Sequence, residues 1–232
     1  MNIFKNTDSL SLMATLDKGS VDLVLTDPPY IISRETGFKN VKEGVHRFAV
    51  DTEYGEWDKP ENFSLADLEA SIKEYYRVLR SGGTCIIFCD LWKISEIKQI
   101  LERNKFKQIR FIDWVKTNPV PLNSSRNYLT NSREVALSAV KIGKPTFNSQ
   151  YDNGLYRYAI CHDKGRFHST QKPLVFMEEL IRKHSNENDV VLDTFAGAAT
   201  TLVAAKNMTR QYIGCELEKE FFDKAEKRLR NS

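Results

Sequence analysis

The sequence predicts one α/β domain built on a mainly parallel, doubly wound sheet, and three observations carry that reading. Short apolar runs of the buried-strand type recur along the chain. Amphipathic helical stretches separate them at the spacing that strand–helix–strand units require. A length of 232 residues suits one full domain of this class, so residues 1–232 are read as a single unit.

The elements follow in order. Val21–Thr26 is an apolar strand that ends in the turn-like Asp27-Pro28-Pro29-Tyr30. Residues 31–62 lack periodicity and carry Gly37, Gly44, Gly55 and Pro60, which predicts a long mobile loop. Residues 65–80 read as a helix with Leu65, Leu68, Ile72, Tyr75, Tyr76 and Leu79 on one stripe, stopped by Ser81-Gly82-Gly83. A strand at 84–89 and a helix at 92–104 follow, then strands at 109–115 and 134–140 with a Pro/Asn/Ser-rich loop between them. Residues 141–170 read as irregular and basic. Pro173 opens a helix to about 185, proline being well tolerated at a first helical position. Val190–Asp193, Thr200–Asn207 and Gln211–Glu216 read as strand, helix and strand, and residues 219–230 as the closing helix.

Composition excludes several classes. No apolar run approaches the ~18–20 residues of a membrane span, and residues 1–10 lack the basic and apolar regions of a secretory signal. Cys85, Cys89, Cys161 and Cys215 form no Cys-x-x-Cys pair, which predicts buried free thiols in a cytoplasmic protein, without disulfides or structural zinc. His46, His162, His168 and His184 are scattered, and none is read as a metal ligand. The net charge of +3 hides an asymmetry, because residues 103–172 hold 13 Lys/Arg against 4 Asp/Glu. A basic segment within an otherwise acidic chain suits a polyanion-facing surface.

In doubly wound sheets ligands gather at the carboxyl ends of strands, and two motifs lie at such ends. In Asp27-Pro28-Pro29-Tyr30 the prolines fix the backbone and remove two N–H donors, so the carboxylate and carbonyls project as acceptors beside an aromatic ring. That arrangement suits a planar ligand with an NH₂ group, held by acceptors and stacked on tyrosine. A Pro-Pro strand terminator with an incidental aspartate reads equally from the tetrapeptide alone. The second motif, residues 193–201, joins a strand to a helix through small residues, which lets backbone approach a ligand closely. About 20 residues later a strand ends in Glu216, an acid placed to bond both ribose hydroxyls of a nucleoside.

Taken in this order, the motifs resemble those of the β class of DNA amino-methyltransferases, whose patterns read (Asp/Asn/Ser)-Pro-Pro-(Tyr/Phe/Trp) and Phe-x-Gly-x-Gly. The run His168-Ser-Thr-Gln-Lys-Pro173 just before the second motif supports the same class, and the stretches 55–59 and 114–119 are also similar to small bacterial restriction-modification adenine methyltransferases. Two departures stand out: Ala199 replaces the family's second glycine, and Asp193-Thr194-Phe195 replaces Asp-Pro-Phe. The added methyl at Ala199 would crowd a backbone that needs positive φ.

The resemblance implies transfer of a methyl group from S-adenosylmethionine to the exocyclic N6 of an adenine flipped out of DNA, with cytosine N4 as the alternative target and a non-catalytic DNA-binding subunit as a more distant one. It assigns catalysis to Asp27, Pro28, Pro29 and Tyr30. It assigns the cofactor to Asp8, Lys172, Asp193, Phe195, Gly197, Thr200 and Glu216, with Lys172 near the cofactor's carboxylate. Asp8 also reads as the N-cap of a helix starting at Ser9. Target recognition falls to the basic region of about 116–170, with Lys116, Asn118, Asn123, Ser124, Arg126, Asn127 and Arg133 as DNA-facing residues. The partner is therefore DNA and not a membrane. Small members of the class imply a homodimer, and a separate cognate restriction endonuclease remains an open expectation.

Overall fold

The structure is a computed structural model that describes residues 2–30, 63–119, 130–161, 166–168 and 170–232. The expected loop 31–62, and Asn123, Ser124, Arg126 and Asn127 in the Pro/Asn/Ser-rich stretch, lie outside the described residues.

Eight strands form one sheet: β1 (Ile3–Asn6), β2 (Val21–Thr26), β3 (Leu79–Cys89), β4 (Lys107–Lys116), β5 (Arg133–Val140), β6 (Leu155–Tyr158), β7 (Val190–Asp193) and β8 (Gln211–Glu216). Their order across the sheet is β1-β8-β7-β2-β3-β5-β4-β6. All pairings are parallel except those of β5, which runs against both β3 and β4. Reversal of β5 has a functional consequence: its first residues, not its last, stand at the edge where the other strands end.

The helices are α1 (Ser9–Ala14), α2 (Leu65–Val78), α3 (Ile94–Arg103), α4 (Leu174–His184), α5 (Thr200–Asn207) and α6 (Lys219–Asn231). They cover both faces, as the unbroken apolar strands require. Val24, Cys85, Ile87 and Cys89 face α1, α2 and α3 through Leu12, Leu68, Ile72, Tyr75 and Ile97. Their alternates Leu23, Leu25, Ile86 and Phe88 face Phe176, Leu180, Ile181 and Ala204 of α4 and α5. Alternation along β2 and β3 sends one set to each core, and every residue named is essentially inaccessible to solvent. All four cysteines are buried, and none forms a disulfide. Among the described residues no helix is long and apolar enough to cross a membrane.

The α/β, doubly wound prediction is realised, with three local differences. Strands β1 and β6 were not anticipated; each has four residues and lies at a sheet edge, too short to show a period. Ser81-Gly82-Gly83 does not stop a helix. α2 ends at Val78, and β3 begins at once and carries both glycines. Gly82 adopts φ +73°, and a Cβ on Gly83 would fall 3.1 Å from the Asp22 carbonyl oxygen, so the glycines form an irregularity in the β2–β3 pairing.

Candidate active site at the carboxyl edge of the sheet

The carboxyl ends of β1, β2, β3, β7 and β8 and the amino end of β5 border one cleft of about 980 Å³. Its size is that of a small-molecule or cofactor site. Asp8, Asp27, Tyr30, Glu134, Lys172, Phe195, Gly197 and Glu216 all line it.

At one end the chain holds its polar groups with backbone. The turn after β7 passes through Gly197 at φ +50° and Ala199 at φ +56° before α5 begins. Ala199 therefore does occupy the left-handed region, a conformation that costs an L-residue about 1–2 kcal/mol. Its methyl group is fully buried with Leu202 and Val203 of α5 and Ala225 of α6. Arg228 of α6 donates to the Ala198 carbonyl at 2.8 Å and to Thr200 Oγ1 at 3.0 Å, tying the turn down from behind.

Glu216, the last residue of β8, accepts the Gly197 N–H on Oε2 at 2.8 Å and the Glu218 N–H on Oε1 at 2.9 Å. Burial raises its pKa while those two bonds oppose the rise. A carboxylate has about four acceptor sites, so each oxygen keeps capacity for a ligand hydroxyl. Asp193 is buried below the turn, accepting from Thr26 Oγ1 at 2.8 Å and from the Phe195 N–H at 3.1 Å, and burial pushes its pKa up to about 6. Tyr75 reaches Thr194 Oγ1 at 2.5 Å from α2. Phe195 packs edge-on against Phe63. The His168 ring lies over Gly197 and meets Phe221 edge-on at 4.6 Å, and burial holds its pKa near 4. Asp8 caps α1 through the Ser11 N–H at 2.9 Å and also lines the cleft, so its capping and lining roles coexist.

At the other end the polar groups are held by opposite charge. Lys172, 6% exposed, pairs with Asp27 Oδ2 and stands 2.9 Å from Glu134 Oε2, the latter approach being too oblique for a well-directed hydrogen bond. Glu134 Oε1 in turn pairs with Lys116 at 2.8 Å. The Lys172 ammonium also lies 5.0 Å from the centre of the Phe88 ring and 5.7 Å from that of Tyr30. Desolvation pushes the Asp27 pKa up and Lys172 pulls it down, with a net rise. The Lys172 pKa also moves upward, because the Asp27 and Glu134 carboxylates outweigh the lowering by burial, so it stays an ammonium ion. Lys93 donates to the Tyr30 carbonyl at 2.8 Å and fixes the end of the Pro-Pro turn.

Asp27 Oδ1 and the Tyr30 hydroxyl are both buried, and although the two side chains act on each other, neither atom makes a well-directed hydrogen bond among the described residues. Leaving a buried acceptor unmet costs about 1–3 kcal/mol, so this pair marks where a donor-bearing ligand would be received.

The structure thus brings the Asp27–Tyr30 motif and the Phe195–Glu216 motif into one cleft. It places Lys172 beside Asp27 and Glu134, so its ion pairs lie at the Asp27 end and not at the Glu216 end, where the resemblance would set it against the cofactor's carboxylate. Of the expected DNA-facing residues, Lys116 is engaged with Glu134, and Asn118 accepts the Ile160 N–H at 2.7 Å. Arg133 is mainly exposed and bonds Asp113 at 3.0 Å. Sequence reading missed Glu134, Lys93 and Arg228. Only Glu134 left a signal, a carboxylate directly before the apolar run of a strand.

Comparison with known proteins agrees with this geometry. A family model described as DNA methylase matches residues 21–227. The type II methyltransferase M.HinfI of Haemophilus influenzae is 34% identical over 99% of this chain and 70% of its own length. The type II methyltransferase M2.LlaDCHI of Lactococcus lactis subsp. cremoris is 33% identical over 98% of this chain and 88% of its own. Among solved structures, the M1.HpyAVI–SAM complex superposes with a TM-score of 0.73 at 34% identity, covering 98% of this chain and 100% of that one.

Proposed function

The chain belongs to the DNA methylase family, and on that premise we propose that it methylates the exocyclic N6 of an adenine turned out of the DNA duplex, with S-adenosylmethionine as donor. The observation that carries the reading is the orphaned Asp27 Oδ1 beside Tyr30 in a cleft whose far wall presents Glu216 and the small-residue turn. Turning the base out is required because stacking and pairing shield its amino nitrogen within the duplex.

The residues fit the donor. Glu216 keeps acceptor capacity for two ribose hydroxyls, Asp8 offers a second carboxylate on the cleft wall, and Phe195, Gly197 and Thr200 line the same end. S-adenosylmethionine supplies, when bound, a methyl group on a positively charged sulfur. The chain's own part is positioning, which can supply several kcal/mol of the barrier. Asp27 Oδ1 and the Pro28 carbonyl accept the two amino hydrogens of the base, and the Tyr30 ring stacks on its face. Drawing both N–H bonds toward these acceptors turns the nitrogen lone pair away from the ring. Once nitrogen gains the methyl group it carries one hydrogen too many, and Asp27 takes that proton. Asp27 is suited to this because burial raises its proton affinity, while Lys172 opposes the rise by favouring the carboxylate.

An aspartate at the head of the motif favours adenine, since serine is commoner there in cytosine-N4 enzymes. Arg133 is the described member of the recognition set that faces outward, and it supports DNA contact along that rim. The type II names of the relatives support a restriction-modification setting with a separate endonuclease. The homodimer is carried by resemblance to small members of the class, and sedimentation of the purified chain tests it.

Long-read sequencing of plasmid DNA from a methylation-free host expressing the chain, beside an Asp27→Ala control, tests the main reading. One short sequence carrying N6-methyladenine with the intact chain alone is expected. Marks on cytosine N4 would replace the base assignment, and unmarked DNA would overturn the proposal.

A further inference from the structure

We infer that Glu134 is a positioning residue for methyl transfer: by holding the Lys172 ammonium to one side, it keeps Asp27 Oδ1 uncommitted for the target amino group. This rests on the methyltransferase reading of the cleft and assigns a part to a residue outside both strand-end motifs.

The argument begins with charge order. Lys116, Glu134, Lys172 and Asp27 form a ladder of alternating sign, with Lys172 flanked by two carboxylates and two aromatic rings. A lysine ammonium is a compact point charge with three donors, so its place beside a carboxylate is set by what else attracts it. Here Oδ2 takes the ammonium, and Oδ1 has no well-directed donor among the described residues. The asymmetry has a visible cause, since Glu134 lies 2.9 Å from the same Nζ and draws it off the midline of Asp27. Lys116 meets the other oxygen of Glu134 at 2.8 Å and so neutralises the charge that Glu134 adds.

β5 makes this possible. As the reversed strand it delivers Glu134, its second residue, to the edge where β2 ends, and Glu134 sits opposite Trp114 in the β4 register. Without Glu134 the ammonium would move onto Asp27 and cover Oδ1. The amino group would then lose its acceptor, and Asp27 would hold its own proton less tightly, through closer contact with Lys172 and through loss of a neighbouring negative charge. The two effects act in one direction on titration and both slow transfer.

Among the described residues, the other titratable groups around Asp27 are Cys89 at the end of β3, Asp193 at the end of β7 and Tyr30 in its own turn. Cys89 is pushed up to about 12 and stays neutral. Burial, and not Glu134, pushes the Asp193 pKa up to about 6, so the displacement between the two profiles reports on Asp27.

The test uses purified full-length chain, methyl-labelled S-adenosylmethionine and methylation-free plasmid DNA, with single-turnover rates followed from acid to neutral pH. Glu134→Gln should slow transfer by about tenfold or more, and its acidic limb should move to lower pH. Calorimetric affinity for S-adenosylmethionine should stay within about twofold, since Glu134 lies at the far end of the cleft from Glu216. Glu134→Asp, which keeps the charge but shortens the reach, should regain part of the rate with a smaller displacement in the same direction. A wild-type rate in Glu134→Gln, or slowing in either variant with an unmoved limb, overturns the inference. Absence of transfer by the wild-type chain would instead overturn the methyltransferase reading on which it rests.

Discussion

The two ends of the cleft hold their carboxylates by different means. Glu216 is clasped by backbone N–H groups of Glu218, two residues on, and Gly197, 19 residues back in the turn after β7. Asp27 is held by one side chain, Lys172, which reaches it from 145 positions along the sequence and is itself shared with Glu134. Backbone bonds cannot be rearranged without moving a strand or turn, so the β7–β8 end is rigid and suits a ligand that must bind the same way at every turnover. Side-chain ion pairs can shift their proton and partner, and that freedom suits the end where a proton has to be received.

The comparison breaks most sharply at Asp27. Asp27→Ala should reduce methyl transfer by about a thousandfold or more, while calorimetric affinity for S-adenosylmethionine stays within about twofold. Loss of cofactor binding in that variant would mean that the two ends are not separable. Glu216→Ala probes the converse. It removes the partner of two backbone N–H groups and should weaken cofactor affinity by about 10–100-fold, with a much smaller fall in the rate at saturating cofactor.

A smaller effect sharpens the contrast within the rigid end. Asp193 has a folded pKa of about 6 against a model-peptide value of 3.8, caused first by burial. The folded protein therefore binds this proton more tightly than the unfolded chain does. The resulting stabilisation is fully present below pH ~4 and lost as pH rises through ~6, an effect of about 3 kcal/mol. Asp193→Asn should accordingly be more stable than the parent at pH 8, by about 1–3 kcal/mol, with the gap closing toward pH 4 in urea unfolding. An equal gap at both pH values would contradict the burial argument. The smallest expected change is Ala199→Gly. Relief of the left-handed strain is offset by a lost buried methyl and a more flexible unfolded chain, so stability should change by less than about 1 kcal/mol.

The difference between the two ends also explains what could be read from sequence. The β7–β8 end is local: strand, small-residue turn, helix and strand-terminal acid follow one another within residues 190–216, and spacing alone announces them. Even the departure at Ala199 could be located, and it takes the positive φ that the family's glycine would take. The Asp27 end is assembled from β2, β5 and the segment before α4, and no period or spacing links those pieces. Asp27 and Lys172 could be named singly from their motifs, but their direct pairing could not. Glu134 was overlooked because its role depends on β5 running backwards, which a strand's composition does not reveal. Lys116 and Asn118 illustrate the same limit in reverse. Both look like surface polar groups in a basic stretch, yet each is spent on an internal bond.

The most direct test of the account is nucleoside mass spectrometry of DNA incubated with the purified chain and methyl-labelled S-adenosylmethionine. The account predicts that the label appears as N6-methyldeoxyadenosine, and that none appears with Asp27→Ala. Label on deoxycytidine, or equal labelling by the Asp27→Ala chain, would contradict it.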